Sequence, residues 1–353
     1  MNLIRIIPAE GKMKRLFSVP IVLLVFVLLF SCNNQNAKVD SLTIWTYDSF
    51  VSEWGPGPAL AKLYQEKTGT KIVFQSKGDG GALLAEILAR GKDAEADAVI
   101  GLDDKLAPRA LESGLFTPLH LTNLKNIDKK LLIDSQSRLV PYDYGNFAFI
   151  WDSKWEEKEL LPPKNLEQMT RPEYKKKIII MDPRTSTPGL GLLAWTQAVY
   201  GDNWEDYWKR LAPSILAMTP GWDTGYGLFT KGEAPLVLSY STSPAYHKAY
   251  ENSERYRALV FEEGHPLEIE LAGVLINSKK RKAAEGFLDF LLTEEAQSIL
   301  PETQWMFPAN TLVKLPDSFD VVPKDVKSLT AAKVSNLQKD PERAVDLLQA
   351  ALR

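Results

Sequence analysis

The segment Ala96-Asp97-Ala98-Val99-Ile100 is nearly all apolar, as a strand buried on both faces must be. A chain with such a strand is committed to a sheet covered by helices on either side. The sequence before it has the matching rhythm. Leu42 to Thr46 reads as a first strand, Gly55-Pro56-Gly57 as a loop, and Pro58 as the opening of a helix that buries Leu60 and Leu63 and stops at Gly69. A strand from Lys71 to Gln75 follows, then a helix face of Leu83, Leu84, Ile87 and Leu88 that ends at Gly91. Strand, helix and strand in alternation predict an α/β lobe with a mainly parallel sheet.

A second series begins further on. Leu139 to Trp151 reads as a long extended crossover, followed by strands at Lys177 to Met181 and Leu236 to Tyr240. Leu267 to Ile276 reads as an extended return to the first lobe, and Ala284, Phe287, Leu288 and Leu291 lie at helical spacing. The tail, with Val345, Leu347, Leu348 and Leu352, is expected to be helical and to pack on the first lobe. A length of 353 residues exceeds one ordinary core and suits two lobes of roughly 150 residues with a cleft between them. The expected division is lobe 1 from 41 to 140 plus about 275 to 353, and lobe 2 from about 141 to 274. Two crossings between lobes make a hinge, the device by which two-lobed proteins close on ligands.

The amino-terminal segment is of another kind. From Met13 two basic residues precede an unbroken apolar run to Phe30, then Ser31, Cys32 and a polar Asn/Gln tract. That run is shorter than the ~20 residues of a comfortable membrane span, and a small residue before a cysteine marks a cleavage site. Residues 1 to 32 are therefore expected to be a lipoprotein signal, with a possible true start at Met13, Cys32 as the acylated residue and 33 to 40 as a tether. This places the body on the periplasmic or cell-surface side, held to the membrane by the lipid on Cys32. Cys32 is the only cysteine, so the body has neither a disulfide framework nor a thiolate metal site.

Charge narrows the partners. Forty-two Lys and Arg against 45 Asp and Glu leave a net charge of −3 without a dense basic cluster, which excludes nucleic acid. Catalytic patterns are missing as well. His120, His247 and His265 have no metal-ligand spacing, and neither a nucleophile elbow nor a phosphate loop is present. The chain reads as a non-enzyme with no cofactor and no metal.

Two places read as sites instead. Asp182-Pro183-Arg184-Thr185-Ser186-Thr187-Pro188-Gly189 joins a buried strand to an apolar helix, with Thr187 expected at the cap and Pro188 at the first helical position. Tyr240-Ser241-Thr242-Ser243-Pro244 repeats the arrangement. Helix starts at the carboxyl ends of strands receive oxygens or anions. Opposed to them are aromatic residues in loops: Tyr47, Trp54, Trp222, Tyr226, Tyr246 and Trp305. Together they can box a flat or cationic ring, at about 0.5 to 2 kcal/mol per cation–π contact. Asp79, in Gly78-Asp79-Gly80-Gly81, offers a carboxylate to an amino-substituted ring.

Thr46-Tyr47-Asp48-Ser49-Phe50, Trp54-Gly55-Pro56-Gly57-Pro58, the run from Asp182 to Gly191, Tyr226-Gly227-Leu228-Phe229 and the run from Leu238 to His247 closely resemble the thiamine-binding proteins of bacterial thiamine importers. The similarity extends to about Phe319. It implies a two-lobed periplasmic-binding-protein type II fold, thiamine or its mono- or diphosphate as ligand, and the permease and ATPase of an ABC importer as partners. By the same resemblance Tyr47, Trp54, Trp222, Tyr240, Tyr246 and Trp305 hold the ring, with Asp79 and Gly80 beside the pyrimidine. Ser186, Thr187 and Ser243 match the positions for the hydroxyl or phosphate end, with Ser241 and Thr242 in the same turn. Phe307 departs from the family by replacing a tyrosine. The fold is shared with thiaminase I, whose cysteine nucleophile has no counterpart in the mature body. A protein of the same fold that binds ferric iron or a polyamine is the remaining alternative.

Overall fold

The 13 residues from Val140 to Asp152 form one strand, β4, along which the architecture is organised. The computed structural model describes residues 40–329 together with 343, 345–347 and 350, all within the unit Val39–Arg353. Cys32, the signal and most of the tether lie outside the described residues, as do Leu348 and Leu352. The order of the main sheet is β2-β1-β3-β9-β4-β7-β5-β6. The strands are β1 (Ser41–Thr46), β2 (Lys71–Ser76), β3 (Ala98–Asp103), β5 (Ile178–Met181), β6 (Ile215–Thr219), β7 (Leu236–Tyr240), β8 (Tyr256–Ala258) and β9 (His265–Val274).

Pairing is parallel at both ends of the sheet, where β1 pairs with β2 and β3, and β5 with β6 and β7. It is antiparallel in the middle, where β3 meets β9, β9 meets β4, and β4 meets β7. The mainly parallel sheet expected from strand–helix alternation thus holds only within each end. At the junction the chain leaves through β4 and returns through β9 in the opposite sense. Residues 140–146 of β4 pair with β9, whereas Phe147–Trp151 pair with β7. One continuous strand therefore belongs to both halves of a two-lobed molecule.

The helices on the sheet are α1 (Pro56–Thr68), α2 (Gly80–Arg90), α3 (Thr187–Tyr200), α4 (Trp204–Leu211), α5 (Trp222–Thr230), α6 (Pro244–Glu251) and α7 (Arg281–Leu291). The start of α1 falls at Pro56, two residues before the expected Pro58. Gly55 is extended and acts as its cap, Pro56 fits the amide-free first turn, and Gly57 has no Cβ to strike the Phe50 carbonyl, which would lie 2.6 Å away. Gly69 ends α1 at φ 75°, as expected from the sequence. For α3 the cap is Ser186, with φ −116° and ψ 135°, and Thr187 is already helical. The Ser186 amide donates to the Asp182 carbonyl at 2.9 Å, closing the turn one residue earlier than expected.

The tail also differs. Arg343 pairs with Glu205 of α4 at 2.9 Å, so this part of the tail lies against the second half of the sheet and not the first. The expectation rested on apolar spacing alone, which does not say which lobe a helix covers.

A buried aromatic cluster lies where β4 meets the return through β9. Trp195 of α3 is fully buried, lies 4.8 Å from the His265 ring and packs on Phe149 and Phe261. His265 Nδ1 donates to the Phe147 carbonyl at 2.8 Å, and Nε2 accepts from the Phe261 amide at 2.7 Å, a pairing that fixes a neutral imidazole. Burial lowers its pKa accordingly. Replacing Trp195 by alanine removes the largest piece of this junction. Trp195→Ala is expected to lower stability by about 3–5 kcal/mol, measured by denaturant unfolding at pH 7; a loss under 1 kcal/mol would contradict this account of the core.

Candidate functional site

The carboxyl ends of β1, β3 and β7 and the starts of α2, α3, α5 and α6 converge on one cavity of about 420 Å³. Its base is polar. Glu270 reaches it from β9 and is held by two phenols: Tyr47 donates to Oε2 at 2.7 Å, and Tyr142 of β4 donates to the same oxygen. Gln304 donates in turn to the Tyr47 hydroxyl. Tyr47 follows β1 directly, and its ring lies where a side chain on Gly101 would be, since a Cβ there would come within 2.0 Å of it. Gly101 also has φ 98°, so backbone conformation and space both require glycine.

The walls are aromatic. Trp222, the first residue of α5, stacks on Tyr226 at 4.8 Å and 22°, and Trp54 meets its edge at 6.2 Å. The Trp222 indole donates to Ser239 Oγ at 2.7 Å, and Ser239 is bonded to Ser243 Oγ at 2.8 Å. Ser243 thus lines the cavity and also anchors the indole. On the far side Trp305 meets Tyr246 edge-on at 5.5 Å and Tyr250 at 5.8 Å. Trp305 has φ 59°, a left-handed conformation uncommon for a bulky residue, in which its amide donates to the Leu300 carbonyl. Trp54 and Tyr250 remain 44% and 69% exposed, which places them at the mouth and the other rings inside.

Asp79 caps α2, its Oδ1 accepting from the Gly80 amide at 2.8 Å. Its Oδ2 accepts from the Trp222 amide at 3.3 Å, so one carboxylate joins the two halves across the cavity. Beside it the Ala82 amide donates to the Thr185 carbonyl at 3.2 Å. A Cβ on Gly80 would lie 2.3 Å from Thr187 Oγ1, and one on Gly81 would lie 2.9 Å from the Thr185 carbonyl. The paired glycines let α2 press against the start of α3.

The electrostatics of the lining are one-sided. Asp79, Asp223 and Glu270 line the cavity, and among the described residues no Lys, Arg or His does. Burial raises the pKa of Asp79, partly offset by the Ser186 hydroxyl and the Gly80 and Trp222 amides. Burial also raises that of Glu270, to about 7, against the opposing pull of the Tyr142 and Tyr47 hydroxyls. Asp143 and Glu268, just beneath, are pushed well above the usual carboxylate range by burial and then by the Glu270 charge. Neither oxygen of Asp143 has a hydrogen-bond partner among the described residues. Such a cavity suits a flat ligand that carries positive charge.

Of the residues singled out from sequence, Tyr47, Trp54, Asp79, Thr187, Trp222, Tyr226, Tyr240, Ser243, Tyr246 and Trp305 line the cavity. Gly80, Ser186, Ser241 and Thr242 stand behind it. Gly80 serves close approach, Ser241 donates its amide to the Asn146 carbonyl, and the Thr242 hydroxyl faces Met306 Sδ at 3.9 Å. Sequence reasoning did not find Glu270, Gln304, Tyr250 or Met306. A signal existed for the first: Glu268 and Glu270 alternate within an otherwise apolar strand, an arrangement that puts two acids on one buried face. The histidines lie elsewhere, His247 within the core against Tyr226 and Glu251, and His265 at the junction.

The chain is similar to known proteins in sequence and in fold. Residues 93–333 match the family of bacterial extracellular solute-binding proteins. The thiamine-binding periplasmic protein of Brucella abortus is 46% identical over 296 residues, covering 82% of this chain and 86% of that protein. A solved periplasmic thiamin binding protein superposes with a TM-score of 0.80 at 37% identity, covering 89% of this chain and 96% of the other. Iron-bound HitA from Pseudomonas aeruginosa superposes with a TM-score of 0.70 at 20% identity, covering 88% and 99%, which is likeness of fold.

The Glu270 carboxyl has a consequence for ligand-free stability. Its pKa is higher folded, about 7, than the ordinary 4.5, so between those values the folded state holds more protons than the unfolded state. Stability must then fall as pH rises through that window. Glu270→Gln is expected to reduce the fall between pH 5 and pH 8, measured by ligand-free thermal melts; an unchanged profile would contradict the assignment. Gly80→Ala is expected to force α2 from α3 and weaken ligand binding at least tenfold, measured by calorimetric titration.

Proposed function

Because the chain belongs to the bacterial extracellular solute-binding proteins and, among them, to the thiamine-binding periplasmic proteins, we propose that it captures thiamine or a thiamine phosphate for an ABC importer. The observation that carries the reading is an aromatic cavity whose charged lining residues are all acids. Thiamine pairs a positively charged thiazolium with an aminopyrimidine, which suits rings above and carboxylates below. In this reading Trp54, Trp222, Tyr246 and Trp305 enclose the rings, Asp79 accepts from the aminopyrimidine, and the start of α3 at Thr187 receives the hydroxyl or phosphate end.

The two halves act as hinged lobes that close on the ligand about β4, with 41 to 140 and the segment from about 275 in one and about 141 to 274 in the other. Asp79, which touches both the cavity and Trp222, couples ligand capture to closure. The acylated Cys32 tethers the body to the membrane on the periplasmic or cell-surface side, near the permease and ATPase that receive the cargo. No helix among the described residues is long and apolar enough to cross a membrane. The protein carries its ligand without transforming it, because the sequence's only cysteine, Cys32, precedes the folded body and leaves the cavity without a thiolate nucleophile. A ferric site is not favoured, since His247 and His265 are occupied in core hydrogen bonds and Tyr47 is bonded to Glu270.

Thermal melts of the soluble body with thiamine, thiamine monophosphate and thiamine diphosphate test the reading. A ligand at 100 times its dissociation constant adds about 2.7 kcal/mol and raises the midpoint visibly. Spermidine and ferric citrate are expected to leave it unchanged, and Trp222→Ala to weaken the best thiamine form by tenfold or more. A midpoint indifferent to all three thiamine forms would remove the assignment.

A further inference from the structure

Glu270 is the feature of the cavity that neither the aromatic box nor the helix starts explain. It is buried, it lines the cavity, and its Oε2 is gripped by two phenols at the junction of β4 and β9. The surrounding charges do not neutralise it. From β9 itself comes Glu268, from β4 Asp143, from the end of β3 Asp103, and from the start of α2 Asp79. Lys105, a buried cation nearby, is bonded to Asp104 at 2.7 Å and to the Leu267 carbonyl at 3.2 Å, and so is already committed. Asp143 has no hydrogen-bond partner for either oxygen among the described residues. Acids at the base of this cavity therefore outnumber cations among the described residues, burial drives them towards the protonated form, and ionising Glu270 there is costly unless a counter-charge arrives.

We propose that Glu270 is the counter-ion for the ligand's fixed positive charge, and that it makes the cavity selective for aromatic cations over uncharged rings of similar shape. The proposal rests on the thiamine reading and assigns within it the group that recognises the thiazolium. Tyr47 and Tyr142 hold the carboxylate in place, and Gln304, by donating to the Tyr47 hydroxyl, directs the phenolic proton towards Glu270. The aromatic rings favour a cation by cation–π attraction, but their stacking area would also accept a neutral heterocycle, because that area does not depend on charge. The carboxylate does depend on it: ion pairing in a dry site favours the cation and leaves a neutral ligand facing an unpaired buried charge.

Calorimetric titration of thiamine into the wild-type body, Glu270→Gln and Glu270→Asp at pH 6 and pH 8.5 tests this, with ligand-free melts of each protein. The wild type is expected to bind more tightly at the higher pH, where Glu270 and the acids facing it ionise more readily. Glu270→Gln is expected to lose at least tenfold in affinity at pH 8.5 and to lose part of the pH dependence. Its ligand-free melting point at that pH should equal or exceed the wild type's. Glu270→Asp, which keeps the charge, should recover most of the affinity. Equal affinity of wild type and Glu270→Gln would overturn the proposal while leaving the thiamine reading intact. A loss accompanied by a lower ligand-free melting point and no rescue by aspartate would assign Glu270 a packing role and also overturn it. Wild-type protein that binds no thiamine would remove both.

Discussion

The antiparallel pairing of β4 with β9 is the constraint on which the rest depends. Each half of the sheet is built from parallel strands with helices between them, and such units do not by themselves specify how two of them meet. They meet because β4 is long enough to serve both, pairing with β9 through Asn146 and with β7 from Phe147 onward. The His265 imidazole, accepting from one backbone amide and donating to one backbone carbonyl, ties the return strand to β4 at the point where the partners change. A buried junction of this kind can also carry Glu270 at the base of the cavity.

Above that junction the polar and aromatic parts of the site are mechanically coupled. Asp79 binds the first turn of its own helix and the amide of Trp222, so the carboxylate that faces the cavity also joins the two halves. Trp222 is fixed from the other side by Ser239 and Ser243. The Ser243 hydroxyl therefore helps to aim an indole, and the glycines after Asp79 act by letting α2 approach Thr185 and Thr187. Gly80, Ser186, Ser241 and Thr242 stand behind the cavity lining and not in it.

Most strands and helices were legible because their signals are local. A proline that fits only the first turn, a glycine at positive φ and an apolar run fully buried on both faces mark α1, its end at Gly69, and β5 without reference to the rest of the chain. Boundaries slipped by one or two residues where several candidate residues stood side by side, as at Pro56 and Pro58 or Ser186 and Thr187. The tail was harder: apolar spacing predicts a helix, but the pairing of Arg343 with Glu205 is decided by which surface lies within reach.

The sequence by itself determined the class of the fold and the kinds of side chain available to the site: strand–helix alternation demands covered sheets, and the loop aromatics and hydroxyl-rich helix starts provide groups for a flat, polar-ended ligand. Only the tertiary structure decided which of these share a cavity, that the centre of the sheet is antiparallel, and that Glu270 faces the cavity with no basic side chain among the described residues lining it. The reason is physical. Secondary structure follows from periodicity and backbone preference within a few residues, whereas the electrostatic character of a site depends on what is missing around a buried charge. That absence arises only when β1, β4 and β9 have brought distant residues together.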